Sequence, residues 1–421
     1  MYNGLSLDQA PPISVVMRFF FTVPVFGILL CSLLLVDPYA VVIPSHPLSL
    51  AAIHLMFLGV ITMAMIGALF QMQSVLGGRP VPSAMGNALL IHVLLTIGIL
   101  SLAGAFAFNA AVLFIVASVF LGSSILYTAN LILPLLFGGI THETLRGMRL
   151  ALIALSFTAV LGIVMATSYA NGAFSSVHEA LRFSHYSLGL IGWIAALIIA
   201  VAFQVIEMFY VTPPYSLWCK RNAFRIIAAS LVFKMIWLFS SLPFVWVFDL
   251  VIGALLIGFI VTTLKRLKIR KRRVSDVSIW FWIVGMVLFF VAISLYAAFM
   301  WSGTEELQHA GLIAFALFSL SIILGMMGKI VPFLVWFHLN SAGYMDAPIM
   351  SNIIPSHRAK ALFWLFILTA ITALSGAFFP DVLILSALSG GAMFTLLLFN
   401  HVKALTLYRH TLRHGTRFEQ V

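Results

Sequence analysis

Apolar residues run along the chain in long blocks of roughly 20 residues, the length at which a helix crosses a hydrocarbon core of about 30 Å. Short polar breaks separate them. Twelve such blocks are readable, at about 15–36, 49–74, 87–107, 110–138, 148–170, 182–210, 224–241, 244–264, 277–300, 307–338, 359–379 and 382–406. The blocks are continuous where the strands of a transmembrane barrel would be shorter and would alternate, so the pattern predicts helices. The expected fold is an all-α integral membrane protein whose partner is the lipid bilayer. The longest polar segment, 340–360, is read as an ordered loop or a helix lying along the surface.

Composition agrees. The 421 residues are 62% hydrophobic and 8% charged, with a mean hydropathy of +1.13. Soluble domains carry about 25% charged residues. The polar opening, 1–14, shows no signal-peptide cleavage pattern, so the first apolar block is read as a retained helix. Cys31 and Cys219 fall in different blocks and form neither CxxC nor CxxCH, which argues against a disulfide scaffold, a zinc site and covalently attached haem.

The net charge of +11 takes its meaning from its placement. Arg79, Arg146, Arg149, Lys220, Arg221, Arg225, the run 265–273, Lys329, Arg358 and Lys360 follow even-numbered spans, and Arg18, Lys403, Arg409, Arg413 and Arg417 lie near the termini. The opposite ends carry Asp37, Glu179, Glu305, Glu306 and Asp381; only Arg182 and Lys234 break the order. By the positive-inside rule both termini are expected in the cytoplasm, with a bacterial inner membrane as the setting. The basic residues are accounted for as topology signals, so nucleic acid is not an expected partner. Anionic lipid is a secondary one.

Three even-numbered spans resemble one another. His54, His185 and His309 open spans 2, 6 and 10 at intervals of 131 and 124 residues, about four spans each. Gln71, Gln204 and Lys329 follow them by 17, 19 and 20 residues. The spacing predicts three four-helix units, approximately 15–138, 148–264 and 277–406, in a single transmembrane domain with a pseudo-threefold arrangement. The histidines would then enter at similar depth.

An ionisable residue within a span is costly and marks a functional hypothesis. Imidazole ligates haem iron, copper and zinc, and three imidazoles at matched depth carry more weight than one. His46 and His178 stand about two turns outward of His54 and His185. His92 opens span 3, where a bond between helices is expected. His142, His338, His357, His401, His410 and His414 belong to the basic side and have no evident partners. Arg182 stands one turn outward of His185, placed to meet a carboxylate of a ligand or to pair with Glu179. Lys234 and Asp249 are candidates for a buried ion pair or a proton path. Gln71, Gln204, Glu207 and Lys329 read as interface anchors.

Twelve spans, a pseudo-threefold arrangement and histidines near the outer ends of spans 2, 6 and 10 resemble subunit I of the haem-copper oxidases and nitric oxide reductases. The resemblance implies that His54 and His309 hold a haem b. It implies that His185, the counterpart of the span-6 copper ligand, holds a second haem or copper. Arg182 would face a propionate. The chain departs from the family in three places. Span 10 has one His where the family has His-x-His, span 7 has none, and His185 is followed by Tyr186, Ser187, Leu188 and Gly189 in place of Pro-Glu-Val-Tyr. An oxygen-reducing haem-copper centre is therefore not expected. The pattern, with Gly78, Arg79 and Pro80 after span 2, is more similar to the degenerate NnrS-like branch. That branch implies haem, a small gaseous ligand such as nitric oxide, and a redox or haem- and copper-handling role. Whether the chain is an enzyme stays open. Two other classes stay open beside it: a twelve-span secondary transporter, and a cofactor-free assembly subunit in which the histidines only pack. No P-loop, GxSxG or HExxH pattern appears.

Overall fold

A computed structural model describes residues 9–137, 143–171, 174–272 and 276–418. Twelve of its helices are long and apolar enough to cross a membrane. They are Ile13–Leu34, Pro47–Gly77, Ala84–Ala107, Ala111–Phe137, Glu143–Tyr169, His178–Tyr210, Leu217–Phe239, Trp246–Lys268, Val277–Ser302, Glu305–Ser341, Ser356–Gly376 and Pro380–His414, here spans 1 to 12. No strand forms among the described residues. Tyr344 and Arg417 make a single β-bridge, and in the polar segment 340–360 the end of span 10 and the start of span 11 flank a connection, 342–355, that holds one four-residue helix, Met350–Ile353. The chain is thus an all-α integral membrane protein.

Helix starts follow local chemistry. Span 2 begins with Pro47 at its first position, where a missing N–H costs nothing, and the His46 Nδ1 accepts from the Leu48 N–H at 3.2 Å. Span 7 is capped by the Ser216 hydroxyl, which accepts from the Cys219 N–H at 3.2 Å. Asp276 accepts from the Ser278 N–H at 2.9 Å ahead of span 9.

The chain divides into two compact units. One holds residues 69–274 and 289–303, hence spans 3 to 8 with the end of span 2 and the second half of span 9. Within it spans 3, 4 and 5 pack in sequence, and span 5 lies along span 6. The other holds residues 11–68, 275–288 and 304–421, hence spans 1, 10, 11 and 12 with most of span 2 and the first half of span 9. There span 1 packs on spans 2 and 12, and span 10 on spans 2, 11 and 12. Gly27 meets the Phe394 ring so closely that no Cβ would fit, which is what brings spans 1 and 12 together.

Burial separates the spans into two classes. In spans 2, 6 and 10, 72, 72 and 89% of the apolar window is buried inside the protein; in the other nine the share is 28 to 56%. The spans that carry the repeated histidines are therefore the interior ones. Lipid would face mainly the others.

Spans 2 and 6 share a second feature. Span 2 runs as an α-helix to His54, a π-helix over Leu55–Thr62 and an α-helix over Met63–Gly77. Span 6 runs as an α-helix over His178–Tyr186, a π-helix over Ser187–Ala195 and an α-helix over Ala196–Tyr210. The wide segments have 8 and 9 residues and the α-helices after them 15 each. Span 10 is one α-helix of 37 residues from Glu305 to Ser341.

Candidate functional site

In both interrupted spans the histidine stands at the change from α to π. Such widened turns shift the backbone hydrogen bonds to i→i+5, re-aim side chains, and occur often at functional sites. The ring of His54 is held by its own helix, with Nδ1 2.7 Å from the Leu50 carbonyl oxygen. The ring of His185 is held by its neighbour, with Nδ1 3.0 Å from the Thr158 carbonyl oxygen on span 5. A carbonyl only accepts, so each Nδ1 must carry the proton. In the neutral imidazole Nε2 then carries the lone pair. This is the tautomer of a histidine that ligates metal through Nε2 and is oriented through Nδ1.

Span 5 makes the place for His185. Thr158 and Gly162, one turn apart, lie on the same face, and a Cβ at Gly162 would come within 3.0 Å of the His185 Cε1. A turn before them Ala154 packs on Gly192 so tightly that a Cβ there would come within 2.6 Å. Span 5 is therefore a small-residue face fitted to span 6.

His309 is buried at 7% exposure, and its Nδ1 has no hydrogen-bond partner. Spans 2 and 10 meet at Phe57 and Phe315, whose ring centroids lie 6.3 Å apart. Those rings are three and six residues inward of His54 and His309. At a rise of about 1.5 Å per residue the two histidines are offset along the spans by roughly 4 to 5 Å. Buried hydroxyls without a protein partner accompany the other two histidines, Ser49 on span 2 and Ser184 beside His185.

Among the described residues no three His, Cys, Asp or Glu side chains come together as a set for one metal ion. His54, His185 and His309 are thus not brought to a common ion. Haem needs only one or two imidazoles, and on that count the donors fit it. Two carry an Nε2 lone pair, and the third has an unsatisfied ring nitrogen in a buried position.

The remaining candidates have more ordinary surroundings. Arg182 reaches Glu179 at 3.4 Å on an exposed surface and lies over the Phe183 ring at 5.0 Å. His46 caps a helix, and His178 packs edge-on against Tyr169. Lys329 pairs with Asp276, and Glu207 accepts from Lys220 and from the Tyr215 N–H. Gln71 is buried. His142 lies outside the described residues.

Lys234 and Asp249 form a buried ion pair, Nζ to Oδ1 2.6 Å. Tyr296 approaches the other carboxylate oxygen at 3.5 Å, and its hydroxyl interacts with that of Tyr186, the residue after His185. The pairing of Lys234 with Asp249 was open to sequence reasoning. The two tyrosines were not, because nothing in their spacing links spans 6 and 9.

His401, expected near the basic side without evident partners, is a further residue within the helix packing. It is fully buried, with its ring 6.4 Å from that of Phe20 and 5.8 Å from that of Phe21. The Phe20 backbone lies alongside, but neither ring nitrogen makes a hydrogen bond of good geometry.

No protein-family model matches the chain, and no curated protein matches it at a significant level.

Proposed function

We propose that the chain is a haem-binding integral membrane protein, built like a degenerate haem-copper oxidase subunit I of the NnrS-like kind. In this reading His54 and His309 are the ligands of a b-type haem, and His185 holds a second haem or copper. The observation that carries the reading is the matched setting of His54 and His185. Each stands at an α-to-π junction of a buried span and has Nδ1 on a backbone carbonyl, which fixes the tautomer in which Nε2 is the lone-pair nitrogen, the one that ligates iron or copper. His309, buried with an unsatisfied ring nitrogen on the span that meets span 2, supplies the second imidazole. Bound between His54 and His309, haem would supply a one-electron centre, while a second haem or copper on His185 alone would keep a position for a small gaseous ligand such as nitric oxide. The protein's own part is to fix the ring tautomers, to exclude water by burial, and to shield the site from lipid. Arg182, whose exposed contact with Glu179 is worth at most about 1 kcal/mol, is free to turn to a propionate.

A carrier is the second reading, favoured by the buried Lys234–Asp249 pair, since intramembrane charges often line transport paths. Pyridine haemochrome and metal analysis of the detergent-purified protein separates the two. Stoichiometric b-type haem supports the first. A colourless, metal-free protein from haem-replete cells overturns it, and uptake by reconstituted vesicles would then be the assay.

A further inference from the structure

Where span 8 ends, two connecting segments are sewn into one ridge. The Arg266 Nη2 donates to the Pro214 carbonyl at 2.7 Å, and its guanidinium lies 4.3 Å from the centroid of the Tyr215 ring. The Arg270 Nη1 donates to the Leu267 carbonyl at 2.8 Å, and the Lys271 N–H donates to the Val211 carbonyl at 3.1 Å. Tyr215 is itself buried, 2.9 Å from the Thr263 hydroxyl, and burial pushes its phenol above the ordinary value, so it stays neutral beneath the arginines. These contacts give the basic run a fixed shape.

The ridge has more positive charge than the protein satisfies. Glu207, the acid beside it, is taken by Lys220 and the Tyr215 N–H. Lys265, Lys268, Lys271 and Arg272 are exposed. Arg266, in the last turn of span 8, and Arg270, just past its end, add two half-buried guanidinium groups to the ridge. Large apolar side chains stand exposed in the same place: Leu217 at 64%, Trp218 at 66% and Ile269 at 59%. An exposed tryptophan among cations at the end of a span belongs at the level of the lipid headgroups.

We infer that this ridge is a binding site for an anionic phospholipid. The headgroup phosphate would be received by Arg266, Arg270 and the exposed cations around them, with the acyl chains along Leu217, Trp218 and Ile269. A basic run that served only as a topology signal would need neither the stitched backbone nor the aromatic border. Anionic lipid would be drawn to it electrostatically within about a Debye length.

The test is thermal unfolding of the purified full-length protein with added phosphatidylglycerol, phosphatidylcholine or inorganic phosphate, together with native mass spectrometry of retained lipid. Phosphatidylglycerol should raise the unfolding temperature more than phosphatidylcholine and remain bound through the spectrometer. Changing Lys265, Lys268, Lys271 and Arg272 to Gln should remove most of that difference. Lys268→Gln with Arg272→Gln, a milder exposed pair, should remove part of it should the fuller variant fold poorly. Equal effects of the two lipids, or a phosphatidylglycerol effect unchanged in the variants, would overturn the inference. Inorganic phosphate reproducing the effect would overturn the lipid as its source and leave a free-anion site.

Discussion

The Nδ1 of His185 lies 3.0 Å from the backbone carbonyl of Thr158, so the tautomer of an imidazole on span 6 is set by the main chain of span 5. The donor–acceptor pair survives any change of the Thr158 side chain. His54 reaches the same state by another route, through Leu50 on its own helix at 2.7 Å. Different partners giving one tautomer at equivalent positions is the pattern expected when Nε2 is the atom that matters.

Gly162 provides the space for that ring. Gly162→Val should displace His185 and, as overpacking, cost about 1 to 3 kcal/mol. Thr158→Ala, which keeps the carbonyl, should leave the site unchanged. Optical spectra and unfolding temperatures of the two variants check this. Identical spectra for Gly162→Val and the wild type would mean that the His185 ring position is not important to a bound group.

Lys234 and Asp249 should show the asymmetry of a buried pair. Asp249→Asn leaves an uncompensated ammonium that is 5% exposed, and breaking such a pair costs about 3 to 5 kcal/mol. The double change Lys234→Met with Asp249→Leu should recover most of the loss. Unfolding in mild detergent reports both. A double variant as unstable as the single would show that Lys234 was not the cause.

Asp276 should give an acid-side signature. Desolvation raises its pKa, but the Lys329 ammonium and the hydroxyl and N–H of Ser278 outweigh it, and the carboxyl is held below the ordinary value. A lowered folded-state pKa stabilises the fold above the unfolded-state value and is lost as pH falls through the folded one. The stability advantage of wild type over Asp276→Asn should be full at neutral pH and shrink on acidification. Unfolding temperatures across that range test it, and an advantage that grew with acid would contradict the pairing.

His401 is fully buried against Phe20 and Phe21, and neither ring nitrogen makes a hydrogen bond of good geometry. Since an unsatisfied buried polar group costs about 1 to 3 kcal/mol, His401→Phe should be neutral or stabilising. A marked loss of stability or of a bound group would reveal an acceptor or ligand that the protein alone does not supply.

The spans were readable because lipid demands long apolar helices. The twelve blocks coincide with the helices to within a few residues at most ends, and the buried Lys234–Asp249 pair stood out as charge in apolar sequence. What the sequence did not reveal depends on the main chain or on packing. The π segments after His54 and Tyr186 have the same apolar composition as the α-helix around them. The Thr158 carbonyl has no side-chain signature, and Gly162 reads as one small residue among many. For His401 the sequence indicated no partners, because the packing of its face of span 12 on span 1 has no signature in the spacing.

The central claim is most directly tested by the reduced-minus-oxidised optical spectrum of the purified protein beside those of His54→Ala, His309→Ala and the double variant. The account predicts a low-spin b-type spectrum in the wild type, lost or shifted to high spin in each single variant and absent in the double one. An unaltered Soret and alpha band in the double variant would contradict it.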